Sequence, residues 1–105
     1  MIKRPKTVNE YVSLVDQALD EIFELRAAAE YDADSMGSLP FLDDLEEGVR
    51  RLKRSMEQGD YQFANEDLPF MGIVEKADDR LLPFKFLFHM INETHRKGLD
   101  VDEIS

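Results

Sequence analysis

Two histidines and a glutamate near the end of the chain are the residues best suited to chemistry. A helix would place His89 and Glu93 on one side, because residues four apart share a face, and would turn His95 away from them. Neither histidine follows a carboxylate by three positions, as di-metal helical bundles require, and the His-Glu-x-x-His spacing of zinc peptidases is absent. The pattern therefore favours packed or solvated histidines. A metal-dependent enzyme using these three residues is the weakest alternative.

Other catalytic signatures are also missing from the sequence. The chain has no cysteine, so thiolate metal sites and cysteine nucleophiles are excluded. No glycine-rich phosphate loop and no Gly-x-Ser-x-Gly nucleophile motif is present. We therefore expect a protein that is not an enzyme and that uses no metal or cofactor.

Acidic residues recur every fourth position in the first third of the chain. In a helix, Asp16, Asp20 and Glu24 form one row in which like charges repel by a few tenths of a kcal/mol per pair. The row predicts a solvated acidic face. The alternatives are a docking stripe for a basic partner and, less well supported, a cation site, because ligands from one helix surface cannot surround an ion.

A basic cluster at residues 50–54 has the composition of a nucleic-acid-binding patch. However, Glu46 and Glu47 precede Arg50 and Arg51 by four residues, the favourable order for ion pairs within a helix. Pairing within the helix is therefore the preferred interpretation. Contact with the acidic face of the first helix remains the alternative.

The charge balance is strongly acidic, with 23 Asp and Glu against 13 Lys and Arg and a net charge of −10. Direct binding to nucleic acid is disfavoured, because that affinity depends on neutralising phosphates with basic residues. High solubility is the simplest consequence. An acidic mimic of nucleic acid that binds a basic protein is an alternative function.

The first of the elements that must position these residues is a helix over Val8–Tyr31, which no glycine or proline interrupts. Thr7 and Glu10 predict a capping box at its start. A second helix over Leu39–Gln58 is predicted to begin after the N-cap Ser38. The polar segment 32–38 is long enough to reverse the chain, so the two helices should pack antiparallel.

The tripeptide Leu-Pro-Phe occurs three times, at 39–41, 68–70 and 82–84. Proline is favoured in the first turn of a helix, so each copy predicts a helix start. The second copy begins a short helix, capped by Asp67 and ending near residue 79. The third begins a helix that stops at Gly98.

Two further features concern the packing of these helices. Tyr61 and Phe63 lie in the connection over residues 60–67, which we expect to place both rings on the bundle. Gly48 marks either a close helix crossing or an ordinary tolerated glycine, and Gly59 is predicted to end the second helix.

These elements predict an all-α fold of four helices, in which a long antiparallel hairpin is packed by two shorter helices. Residues 1–105 should form one domain with flexible ends over 1–6 and 99–105. The longest apolar run, 81–91, contains Lys85 and is too short to span a membrane. The first residues lack the apolar core of a signal peptide. We expect a cytoplasmic protein without membrane association.

The last helix has more apolar side chains than its own burial needs. Phe84, Leu87, Phe88 and Ile91 form one face, whereas Phe86 and Met90 lie roughly 100° or more away around the helix axis. Either the other helices enclose this helix, or its second side serves a protein partner or a homodimer. The sequence thus predicts an adaptor or regulatory subunit. The candidate partner surface comprises Phe86, Met90, Asp16, Asp20 and Glu24.

Overall fold

The computed structural model describes residues 4–31, 41–80 and 82–100. These residues form four helices and contain no strand, which confirms the predicted all-α fold. The helices are α1 (Val8–Tyr31), α2 (Phe41–Gln58), α3 (Met71–Lys76) and α4 (Lys85–Lys97). Among the described residues, no helix has the length and apolar content needed to cross a membrane.

The two long helices, α1 and α2, pack antiparallel. Arg26, near the end of α1, bonds Asp43 at the start of α2, and Asp16 bonds Lys53 in the second half of α2. Between these ion pairs the two helices bury apolar side chains with no measurable exposure, which drive their association. These side chains are Val15, Ala18 and Ile22 of α1 with Leu45 and Val49 of α2. The hairpin prediction is confirmed.

The start of α1 shows one half of the predicted capping box. The backbone N–H of Glu10 donates to Thr7 Oγ1 over 3.1 Å, as an N-cap threonine requires. The Thr7 hydroxyl in turn donates to Glu10 Oε2 at 3.3 Å. The Glu10 carboxylate therefore accepts from the Thr7 side chain, whereas a full capping box would have it accept from the Thr7 backbone N–H.

Each of the two Leu-Pro-Phe copies described in full is followed directly by a helix, as predicted, but the prediction that proline lies inside the first helical turn is wrong. α3 begins at Met71 and α4 at Lys85, and the phenylalanine of each tripeptide is the N-cap residue. Asp67 does not cap α3, whose N-cap receives no side-chain hydrogen bond. The predicted start of α2, with Ser38 and residues 39–40, lies outside the described residues, as does the connection over 32–38.

Burial explains the role of these two tripeptides. Each buries its leucine and its phenylalanine and exposes its proline. Both phenylalanine rings pack on Phe88 of α4, with ring centroids 6.0 Å away for Phe70 and 5.6 Å away for Phe84. The tripeptide is thus a pre-helical turn that inserts two apolar side chains into the shared core.

Gly48 marks a close approach, as one of its two predicted roles required, but the segment that approaches it is the turn before α3 and not a helix. A Cβ atom at this position would lie 2.9 Å from Cβ of Phe70, closer than two carbons pack without displacement. The missing side chain therefore lets the pre-helical turn before α3 sit directly against α2.

Two other glycines end helices, as predicted. Gly59 follows α2 with φ of 79° and Gly98 follows α4 with φ of 85°, a region of backbone conformation that glycine adopts without strain. Beyond Gly98 the chain returns to its start, where the backbone N–H of Asp100 donates to the carbonyl of Pro5 over 2.7 Å. Flexible ends stay a prediction for residues outside the described range.

Candidate functional site

Three side chains from three parts of the chain form a hydrogen-bonded row inside the bundle. The hydroxyl of Tyr61 lies 2.6 Å from Nδ1 of His95 and 3.2 Å from the hydroxyl of Tyr11. The Tyr11 hydroxyl lies 3.0 Å from the backbone carbonyl of Ile91. The row therefore joins α1 and α4 through the connection that follows α2.

The direction of this row follows from counting donors. A carbonyl can only accept, so Tyr11 uses its single hydroxyl hydrogen on Ile91 and must accept from Tyr61. Tyr61 then has no hydrogen left for His95, so His95 Nδ1 carries the hydrogen and donates to Tyr61. Neutral His95 therefore has its lone pair on Nε2.

Burial controls the ionisation of the same groups. Desolvation lowers the pKa of His95, because burial disfavours the charged ring, and the nearby Glu66 carboxylate opposes this shift. Desolvation also raises the pKa of both tyrosines. All three groups are therefore neutral near pH 7, which is the state that the directed row requires.

Aromatic contacts hold Tyr61 in this position. Its ring packs edge-on against Tyr11 and Phe63, with centroids 5.8 Å and 5.1 Å away, and Phe63 stacks on Tyr11 at 5.9 Å. The expectation that this connection places Tyr61 and Phe63 on the bundle is confirmed. Phe63 nevertheless keeps 41% of its surface exposed.

A groove of about 730 Å³ opens beside His95, between α2 and the segment that runs from Asp60 to Ile73. Its apolar lining includes Leu52, Leu68 and Phe70. A volume of this size is in the range of pockets that hold small ligands or the side chains of a bound peptide. This groove could not be predicted from the spacing of residues, because its walls are distant in the chain.

The rim of the groove is acidic. Asp44, Glu47, Asp60, Glu66 and Asp67 line it, and its basic lining residue is Arg51 beside the neutral His95. Glu47 pairs with Arg51 at 2.8 Å.

Asp67, predicted to cap α3, instead accepts hydrogen bonds from Asn92 at 3.0 Å and Arg96 at 3.4 Å. Asn92 also accepts the backbone N–H of Leu68 at 2.8 Å. These bonds attach the end of the connection to α4 and thereby fix one wall of the groove.

The structure does not gather the three residues considered for metal chemistry. Nε2 of His89 lies 3.7 Å from Glu75, Glu93 accepts from Lys97 at 2.8 Å, and His95 bonds Tyr61. Across the described residues, no three His, Cys, Asp or Glu side chains are placed to hold an ion together.

The basic cluster on α2 divides between the two predicted kinds of contact. Arg50 and Arg51 pair within the helix, each at 2.8 Å from a glutamate four residues earlier. Lys53 instead crosses to Asp16 of α1 at 2.6 Å. Most of the cluster's charge is therefore used inside the hairpin.

The ion pair between Lys53 and Asp16 separates Asp16 from the other two residues of the acidic row on α1. Asp16 is half-buried against Lys53, whereas Asp20 and Glu24 are exposed and have no ion-pair partner within the part of the chain that the structure describes. The row therefore leaves two carboxylates facing solvent.

Phe86 and Met90 differ in exposure. Phe86 is 56% exposed, whereas Met90 is half-buried and packs against the core. Leu87, Phe88 and Ile91 form the buried core face of α4 and Met90 adds to it, so Phe86 is the apolar side chain that the core leaves exposed. Whether this surface binds a partner stays a prediction. Phe86 and Met90 lie on α4, whereas the acidic residues of the predicted partner surface lie on α1.

Comparisons with protein-family models, curated proteins and solved structures find no match to this chain.

Proposed function

We propose that this protein is a non-enzymatic interaction protein, an adaptor or regulatory subunit, that binds a protein partner through Phe86 and the adjoining Met90. The observation that supports the proposal is the 56% exposure of Phe86 on a helix whose core face is already filled. Exposing a large aromatic side chain costs solvation free energy that burial against a partner would recover.

The proposal can be tested by affinity purification from the cells that make the protein. Phe86→Ser should abolish capture of a partner that wild type retains, and the variant should remain folded because the side chain is more than half exposed. Phe23→Ser is the matched control, since Phe23 is 72% exposed on α1.

Sedimentation of the purified protein tests the case in which the partner is a second copy. Concentration-dependent association that Phe86→Ser removes would identify a homodimer. A monomer at every concentration, together with no captured protein that depends on Phe86, would contradict the proposal.

An acidic mimic of nucleic acid is the second candidate. It is favoured by the net charge of −10 and by the exposed Asp20 and Glu24. In that case partner binding should weaken steeply as salt is added, because screening acts on exposed charges. Binding that is indifferent to salt would contradict it.

A further inference from the structure

The groove beside α2 has an apolar floor whose shape the backbone fixes. Phe70 is 2% exposed and Leu68 6% exposed, so these lining residues are held by the core. Gly48 also lines the groove, and its lack of a side chain allows Phe70 to sit against α2. A bound apolar side chain would therefore meet a preformed surface, which lowers the ordering cost of binding.

The rim above that floor has unbalanced negative charge. Asp44, Asp60 and Glu66 have no ion-pair partner among the residues that the structure describes, whereas Glu47 and Asp67 pair with arginines. An occupant that brings positive charge to these carboxylates would be favoured, and a negatively charged occupant would be repelled.

His95 supplies an observation independent of the rim charges. It lines the groove with 7% exposure, and its Nδ1 is committed to Tyr61. Nε2, which carries the lone pair of the neutral ring, makes no hydrogen bond within the residues that the structure describes, and solvent reaches it. An occupant with an N–H donor would find in Nε2 an acceptor that no other described side chain uses.

We infer that the groove binds a basic segment of a partner protein, with an apolar side chain on the floor and lysine or arginine side chains at the rim. The apolar floor, the acidic rim and the Nε2 acceptor of His95 together match a segment that alternates apolar and basic residues. The inference goes beyond the proposed function, because the groove and the Phe86 surface are different sites.

The test uses a displayed library of random twelve-residue peptides selected against the full-length protein. Enriched sequences should combine lysine or arginine with leucine, isoleucine or an aromatic residue. The best peptide, made synthetically, is then titrated into labelled protein while backbone amide NMR shifts are followed. The shifts should concentrate at groove residues such as Gly48, Gln62 and Glu66.

Charge-reversal variants then test the rim. The double variant Asp60→Lys, Glu66→Lys should weaken peptide binding about tenfold, the effect expected from reversing two partly solvated ion pairs. The matched control, Asp20→Lys with Glu24→Lys, makes the same change in net charge on the exposed face of α1. It should leave affinity within about twofold, because screening limits interactions between distant charges.

Three results would overturn the inference. They are a library that yields no binding peptide, equal loss of affinity in the α1 control, and shifts centred on Phe86 and Met90. The last result would support the proposed function while removing the groove as a site. The failure of the two proposals can therefore be told apart.

Discussion

His89 and His95 lie on the same helix yet have opposite surroundings. His89 is exposed beside Glu75, whereas His95 is buried and donates to Tyr61. Their spacing in the sequence indicated only that His95 lies away from the helix face that His89 and Glu93 share. The tyrosine partner is 34 residues away in the chain, so its contact depends on the tertiary fold.

Acidification should destabilise the protein through His95. Its pKa is lowered from 6.5 in the folded state, so the unfolded chain binds more protons as the pH falls through that value. The free energy of unfolding should therefore decrease as the pH is lowered from about 7 towards about 5.5. Urea denaturation at several pH values measures this dependence.

Substitution separates the two histidines in that experiment. His95→Gln should remove most of the pH dependence in this range, and His89→Gln, at an exposed position on the same helix, is the matched control. The carboxylates with lowered pKa, Glu46, Asp78 and Glu93, lose their contribution only below their ordinary values near 4. An unchanged slope in His95→Gln would contradict the assignment.

At the scale of the elements, helical periodicity predicted that four helices form, but it did not predict the residue at which each short helix begins. Apolar spacing identified all four helices, and the bounds of α1 agree with the prediction. α3 and α4 begin after their Leu-Pro-Phe segments. Phe70 and Phe84 pack against Phe88 in the core, and this packing holds the two segments as turns. The preference of proline for the first helical turn is a local property, so it could not predict the effect of these tertiary contacts.

The close approach at Gly48 predicts an unusual response to alanine. Gly48→Ala should lower the free energy of unfolding by about 1–3 kcal/mol, the usual cost of overpacking, despite the better helix propensity of alanine. The clash is with Cβ of Phe70, which side-chain rotation cannot move. Chemical denaturation measures the change.

Gly72 provides the matched control within α3. A Cβ there would have no neighbour within 4 Å, so Gly72→Ala should be neutral or stabilising by up to about 1 kcal/mol. Equal changes in unfolding free energy for the two alanine variants would show that Phe70 does not pack tightly against Gly48.

For the whole molecule, the groove and the ion pairs between helices depend on tertiary contacts, which the spacing of residues in the sequence does not predict. Glu46 was predicted to pair with Arg50, and it does so at 2.8 Å. It also bonds Arg26 of α1 at 3.0 Å. Residues four apart meet in any helix, whereas a contact between helices depends on how the hairpin is packed.

The returning end of the chain should contribute to global stability. Leu99 packs half-buried against the core, beside the bond between Asp100 and Pro5. Leu99→Ala should cost about 1–2 kcal/mol of unfolding free energy, in proportion to the apolar area it loses.

Val8→Ala is the comparison for that variant. Val8 is 54% exposed, so its truncation should change stability by less than about 0.5 kcal/mol. Equal thermal midpoints for wild type and Leu99→Ala would show that the returning end adds nothing.

The bond from Tyr11 to the carbonyl of Ile91 spans 80 positions of the chain. During synthesis, α1 emerges from the ribosome long before α4 exists, so the surface that α4 covers stays exposed to water until α4 has been made. The hairpin can assemble early, but the core closes only when α4 arrives. Stalled chains in which only the residues before 85 have left the ribosomal exit tunnel should therefore bind hydrophobic dyes and chaperones. Chains in which residues up to 100 have left the tunnel should release them.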